Sequence, residues 1–143
     1  MRAEALIETD NLAEARSIIN DIRQRAKNSV DKHIAYAENQ CDIALYPESY
    51  FQNKETARKC LRWERRLELA MENGRYFDLR RWGLASKTLN AYFATEKNDV
   101  YDGQTYATYL KDAHYTAGKN EFYPIPYNQL YYVPGLYKQN KNY

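Results

Sequence analysis

Glu64-Arg65-Arg66-Leu67-Glu68-Leu69-Ala70-Met71-Glu72-Asn73-Gly74-Arg75-Tyr76-Phe77-Asp78-Leu79-Arg80-Arg81-Trp82-Gly83 is the stretch that decides how this chain folds. Wound at about 100° per residue, its first half continues a stripe of Ala57, Cys60, Leu61, Leu67 and Met71. Glu64 and Glu68 fall on that same stripe. A helix normally turns its acids away from its apolar face, because an unpaired buried carboxylate is very costly. Two acids on the core side, with Arg75, Asp78, Arg80 and Arg81 shortly downstream, imply a polar network. Such a network is either catalytic or locks a corner of the fold.

The two readings separate on chemistry. Paired carboxylates, one protonated and one ionised, are what glycoside hydrolysis requires, and adjacent helical turns place Glu64 and Glu68 within range. Catalytic acids need an open cleft, however, and Leu61, Leu67 and Met71 on the same stripe indicate a closed core. As metal ligands the pair lacks the histidine three residues on that helical di-metal sites use, and the chain holds only His33 and His114. Glu64 and Glu68 are therefore expected to be structural, accepting hydrogen bonds from the downstream arginines and from loop amides. Arginine forks also bind phosphate and carboxylate, but the acids near Arg75, Arg80 and Arg81 point to internal pairing.

Outward from this stretch, helix dominates. Residues 2–8 read as the tail of a helix, and Thr9-Asp10-Asn11 as a turn. Asn11 caps the next helix, with Glu14 three residues later reaching back as in a capping box. Leu12, Ala15, Ile18, Ile19, Ile22 and Ala26 then predict an amphipathic helix to about Asn28. Residues 29–53 lack a period and read as a loop. Asn53 caps a helix over about 54–73, and Gly74 supplies its left-handed stop. Helices over 77–82 and 84–97 complete the segment 54–98.

Beyond residue 98 the composition changes. Ten of the fifteen tyrosines and three of the four prolines lie after residue 100. Pro124 and Pro126 favour extended chain, and Pro134-Gly135 suits the centre of a type II turn. Residues 99–143 are expected to form an irregular, tyrosine-rich segment wrapped over the helices, with each ring covering apolar surface while its hydroxyl stays hydrated. The fold class is mostly α.

Composition excludes several functions. With 21 basic and 19 acidic residues in 143, the formal charge is only +2, which leaves no footprint for nucleic acid. No stretch approaches the apolar length of a membrane span. Nucleophile elbow, phosphate loop, dinucleotide fingerprint and zinc spacing are all absent, so neither cofactor nor metal is expected. Cys60 lies on the apolar stripe and reads as a buried free thiol; Cys41 is left open. Exposed aromatics stack on the apolar faces of sugars, and Tyr36, Tyr46, Tyr50 and Phe51 are candidates for such a platform, with Asn39, Gln40 and Asp42 nearby for the hydroxyls. The competing reading is that these rings cover core.

The same residues carry a family resemblance. The stretch 64–83 resembles the C-terminal helix signature of the SusD/RagB family, roughly E-R-R-x-E-L-A-x-E-G-x-R-x-x-D-L-R-R-W-G, with Asn73 before Gly74 as a small departure. Arg2-Ala3-Glu4-Ala5-Leu6 with Ala15 to Ala26 is similar to that family's last helical repeat, and Phe122-Tyr123-Pro124-Ile125-Pro126 with Gln139-Asn140 to its terminal elements. The resemblance implies a partial stack of tetratricopeptide-like helices, with 1–28 as the last repeat, 29–53 a loop, 54–98 the signature helices and 99–143 the tail. It also implies a non-catalytic, surface-exposed protein of the outer membrane. Such a protein captures an oligosaccharide or other small nutrient and passes it to a TonB-dependent, SusC-like transporter. Family members are longer, exported lipoproteins, so the chain is expected to be their C-terminal portion, with the membrane reached only through a lipid anchor that these residues lack. Two alternatives stay open: a helical-repeat module binding a protein partner, and a glycoside hydrolase using Glu64 and Glu68.

Overall fold

The computed structural model describes residues 1–33, 43–101, 104–105 and 108–143. The chain is mostly α and divides into two compact units, Met1–Glu72 and Asn73–Tyr143.

The first unit packs α1 (Arg2–Glu8), α2 (Leu12–His33) and α3 (Lys54–Glu68) around a 3-10 turn at Glu48–Phe51. Its core is Ala3, Ile7, Ala15, Ile19, Phe51, Ala57, Cys60 and Leu61, with Leu6, Leu12, Ile18 and Tyr46 packed against it. Ile7 and Ile19 are fully buried, each worth about 1.5–3 kcal/mol of transfer free energy. The turn between α1 and α2 places Asp10 at φ 64°, and the Asn11 N–H donates to Leu6 O at 2.8 Å. Because that N–H is already used, Glu14 reaches back to the Asn11 side-chain amide instead, at 2.9 Å. α2 continues to His33, five residues beyond the predicted end at Asn28.

At the start of α3, Asn53 caps as expected: its Oδ1 accepts from the Thr56 N–H at 3.0 Å. The far end differs. α3 stops at Glu68, short of residue 73, with Met71 and Asn73 at φ 68° and 58°. Gly74 is right-handed (φ −75°) and opens the next helix, so it is not the stop. Once the helix ends, its periodicity no longer places side chains. Met71, expected on the core stripe, is 98% exposed; Leu67, also expected there, is still helical but half exposed one residue before the end of α3.

The second unit contains α4 (Arg75–Arg81), α5 (Ala85–Glu96), the two-residue antiparallel pair β1 (Val100–Tyr101) and β2 (Gln104–Thr105), a 3-10 turn at Thr108–Leu110, and α6 (Tyr127–Tyr132). The left-handed glycine that ends a helix of the signature stretch is Gly83, at φ 68°. Leu84 N–H donates to Leu79 O at 2.8 Å and Gly83 N–H to Arg80 O at 3.0 Å, the paired bonds of a Schellman motif. Its hydrophobic partners, Leu79 and Leu84, join Ala85, Tyr115, Tyr76, Leu89 and Phe93 in a small core.

The tail is held by carboxamides. Asn90 Nδ2 donates to Tyr115 O at 2.9 Å while its Oδ1 accepts from Tyr115 N–H at 2.7 Å. Gln139 brackets Ile125 in the same way, at 2.8 and 3.0 Å, and Asn140 donates to Tyr123 O at 2.6 Å. This is what the proline-isoleucine-proline and glutamine-asparagine elements do: a side-chain amide pairs with a backbone that its prolines keep from pairing with itself. Pro134-Gly135 makes the expected turn, with Gly135 at φ 84° and Leu136 N–H on Val133 O at 3.2 Å. Pro126 precedes α6, a short helix missing from the sequence expectation, where proline is tolerated because the first N–H has no helical partner. Tyr109, Tyr123, Tyr127, Tyr131 and Tyr132 are all strongly exposed; Tyr115 is the tail's one buried tyrosine among the described residues.

Candidate functional site

A groove of about 230 Å³ lies in the first unit, lined by Tyr46, Tyr50, Thr56, Lys59, Cys60 and Trp63. Thr56, Lys59, Cys60 and Trp63 sit at i, i+3, i+4 and i+7 of α3 and so share one face. The opposite wall comes from the irregular segment before α3. Pro47 is extended (φ −69°, ψ 162°), and the 3-10 turn after it points Tyr50 outward and Phe51 inward. Tyr46 lies 6.1 Å from each of them, with rings inclined at 56° and 61°. Trp63 and Tyr50 are 52% and 51% exposed, whereas Phe51 is 5% exposed and belongs to the core.

The residues expected to form a platform fall in different places. Tyr46 and Tyr50 line the groove, Phe51 is removed from it by packing, and Tyr36, Asn39, Gln40 and Asp42 lie outside the described residues. Trp63, Thr56 and Lys59 were missed, although the three-residue step from Cys60 to Trp63 marks the shared face. Arg66 stands over the Trp63 ring, its guanidinium carbon 5.4 Å from the centroid. Burial pushes the Cys60 thiol above its ordinary range, so it is poorly nucleophilic.

Tyr46 is held from α2. Asn20 Nδ2 donates to Tyr46 O at 3.1 Å, and Asn20 Oδ1 accepts from Tyr46 N–H at 2.8 Å. Arg23 Nε donates to Ala44 O at 2.6 Å, and its guanidinium carbon sits 4.5 Å from the Tyr46 ring centroid. Burial raises the Tyr46 hydroxyl's pKa, while the Arg23 charge pulls the other way.

Arg23 also answers the question posed by the two acids. Its Nη1 donates to Glu64 Oε2 at 2.7 Å, with only 16% of the Arg23 side chain and 9% of the Glu64 side chain exposed. Glu68 pairs with Arg25, at 33% and 68% exposure. Glu64 is the inward acid; a third of the Glu68 side chain is in solvent. These guanidiniums come from α2, where the sequence pointed to arginines past Gly74, because α3 packs its Glu64 face against α2. Downstream, Arg81 Nε donates to Asp78 Oδ1 at 2.9 Å within α4, Arg80 stands 5.6 Å from the Phe122 ring centroid, and Arg75 begins that helix. Glu64 and Glu68 also border a cavity of about 190 Å³, whose other walls include Arg2, Arg65, Ile18, Ile19, Ile22, Leu61 and Leu69 and hold no aromatic ring.

Comparison with curated proteins gives no match. A family model described as the SusD family matches residues 1–143, and the chain belongs to that family.

Proposed function

We propose that this protein binds a nutrient, an oligosaccharide in the first instance, at the outer-membrane surface and delivers it to a TonB-dependent, SusC-like transporter without altering it chemically. Membership of the SusD family is consistent with nutrient binding linked to outer-membrane uptake. The observation that carries the ligand class is the groove of Tyr46, Tyr50 and Trp63. Its aromatic walls match the apolar faces of a pyranose, and its exposed lining is apolar, so the groove itself offers a stacking surface. At about 230 Å³ it is smaller than the ~300–1,000 Å³ of clefts that enclose drug-sized ligands, so it fits one ring of a chain and not a whole oligosaccharide. Membrane attachment would come through a lipid anchor; among the described residues no helix is long and apolar enough to cross a bilayer.

The hydrolase reading loses support from Glu64, whose carboxylate is covered and engaged by Arg23. Titration calorimetry with neutral oligosaccharides, run beside a reducing-end hydrolysis assay, tests the proposal. Binding without turnover, weakened at least tenfold by Trp63→Ala, supports it. Turnover that Glu64→Gln abolishes refutes it. Co-purification with a barrel transporter tests delivery, and its failure with sugar binding intact would limit the role to capture.

A further inference from the structure

The segment 43–47 has no regular secondary structure, yet it carries one wall of the groove. Its backbone hydrogen bonds have to end somewhere, and they end on α2. Arg16, Asn20 and Arg23 sit at i, i+4 and i+7, one stripe of that helix, and all three reach the segment. Asn20 takes both the N–H and the C=O of Tyr46, which fixes the backbone. Arg23 takes Ala44 O, which fixes the approach to Tyr46, and covers one ring face, which leaves the remaining ring surface to line the groove. Glu64 holds Arg23 in turn, from the helix that supplies the opposite wall.

On the reading that the groove holds a sugar ring, we propose that Asn20 and Arg23 are positioning residues for that site: they pre-form the Tyr46 wall and set which part of its ring a ligand meets. Neither side chain lines the groove. Their effect is on the fraction of molecules whose Tyr46 is already in place, and apparent affinity falls in proportion to that fraction. A segment released to spend about a tenth of its time in the bound geometry lowers affinity about tenfold.

Three variants test this. Asn20→Ala removes the backbone bracket. Arg23→Lys keeps a charge opposite Glu64 but loses the planar fork that reaches Ala44 and lies over the ring. Ile7→Val, in the core and away from the groove, is a control for lost stability alone. The probe is whichever neutral hexasaccharide of glucose, xylose or mannose the wild type binds most tightly. Two quantities are read, the Kd and the hydrogen-exchange protection of the Tyr46 amide. Expected is a loss of Tyr46 protection with a roughly tenfold rise in Kd for Asn20→Ala, a smaller rise for Arg23→Lys, and no change in Kd for Ile7→Val although its Tm falls. Lost protection with an unchanged Kd, or a Kd that follows Tm across all three, overturns the positioning role while the groove remains a sugar site. A wild type that binds none of the three sugars, with its Tyr46 amide protected, refutes the sugar reading itself and the positioning role with it.

Discussion

Breaking the Arg23–Glu64 pair is expected to cost far more than breaking Arg25–Glu68, although both join α2 to α3. At an effective dielectric of about 20, opposite charges about 4 Å apart attract by roughly 4 kcal/mol before desolvation is subtracted. For the intact pair most of that is offset. Once Arg23 is gone, Glu64 keeps its desolvation penalty and loses its compensation, and such losses run to about 3–5 kcal/mol. With side chains only 16% and 9% exposed, the pair belongs in that regime. Arg25–Glu68, at 68% and 33%, belongs with surface pairs worth about 0–1 kcal/mol. The assay is urea unfolding followed by tryptophan fluorescence in a Trp82→Phe background, which leaves Trp63 of the two tryptophans as reporter of the first unit. Arg23→Met should lose about 3–5 kcal/mol, and Arg23→Met/Glu64→Leu should recover most of it, because an apolar pair replaces a charged one. Arg23 also bonds Ala44 and packs on Tyr46, so the coupling from the full double-mutant cycle is the quantity to read. A coupling below about 0.5 kcal/mol, or a larger effect from Arg25→Met, would show that the inward acid has been misidentified.

Other outcomes follow from the same geometry. Phe51→Ala should destabilise the first unit by about 3–5 kcal/mol, whereas Tyr50→Ala, at an exposed position, should stay within about 0.5 kcal/mol and, on the proposed function, show its effect only on sugar affinity; equal losses of stability would contradict the split between core and groove. Asn53→Ala should cost about 1 kcal/mol in urea titration through loss of the α3 cap. The Tyr115 hydroxyl is buried beside Tyr76, so Tyr115→Phe should change stability by no more than about 1 kcal/mol. Burial, with the neighbouring Tyr76 adding to it, raises the Tyr115 pKa in the folded state above its unfolded value near 10. Stability from this group is therefore full below about pH 10 and falls as pH rises beyond it, and the fall should be shallower in Tyr115→Phe when Tm is followed from pH 8 to 11.

Local signals in this sequence were strong where a side chain bonds its own neighbourhood. Asn53 capping α3 and Pro134-Gly135 turning the tail are settled within four residues, and both could be read directly. The apolar stripe through Ala57, Cys60 and Leu61 was equally plain, and it correctly turned Glu64 inward. Periodicity misled where it was carried past a helix end: Met71 kept the right spacing after the backbone had left the helix, while Leu67, still helical, is half exposed one residue before α3 ends. Gly74 drew the stop signal away from Met71 and Asn73, which adopt left-handed φ without being glycine. The partner of Glu64 was unreadable for a different reason. Arginines 41 positions upstream and 11 downstream look alike in one dimension, and only packing of α3 on α2 chooses Arg23. Trp63 follows Cys60 by three residues on α3, and one-dimensional spacing does not separate a groove-lining ring from a core one; Phe51 sits among loop tyrosines in sequence, but the 3-10 turn sends its side chain into the core.

The carboxamide brackets have a chemical lifetime. Asn20, Asn90 and Gln139 each use the amide nitrogen to donate to a carbonyl and the amide oxygen to accept from an N–H. Deamidation replaces that nitrogen by a carboxylate oxygen, which then faces the carbonyl oxygen it once bonded, so one lost ammonia converts a clasp into a repulsion. Asparagine and glutamine are among the residues least durable under heat. Loss of ammonia at any of the three would accordingly register as loosened backbone at Tyr46, Tyr115 or Ile125, while the apolar helix contacts of the first unit outlast it.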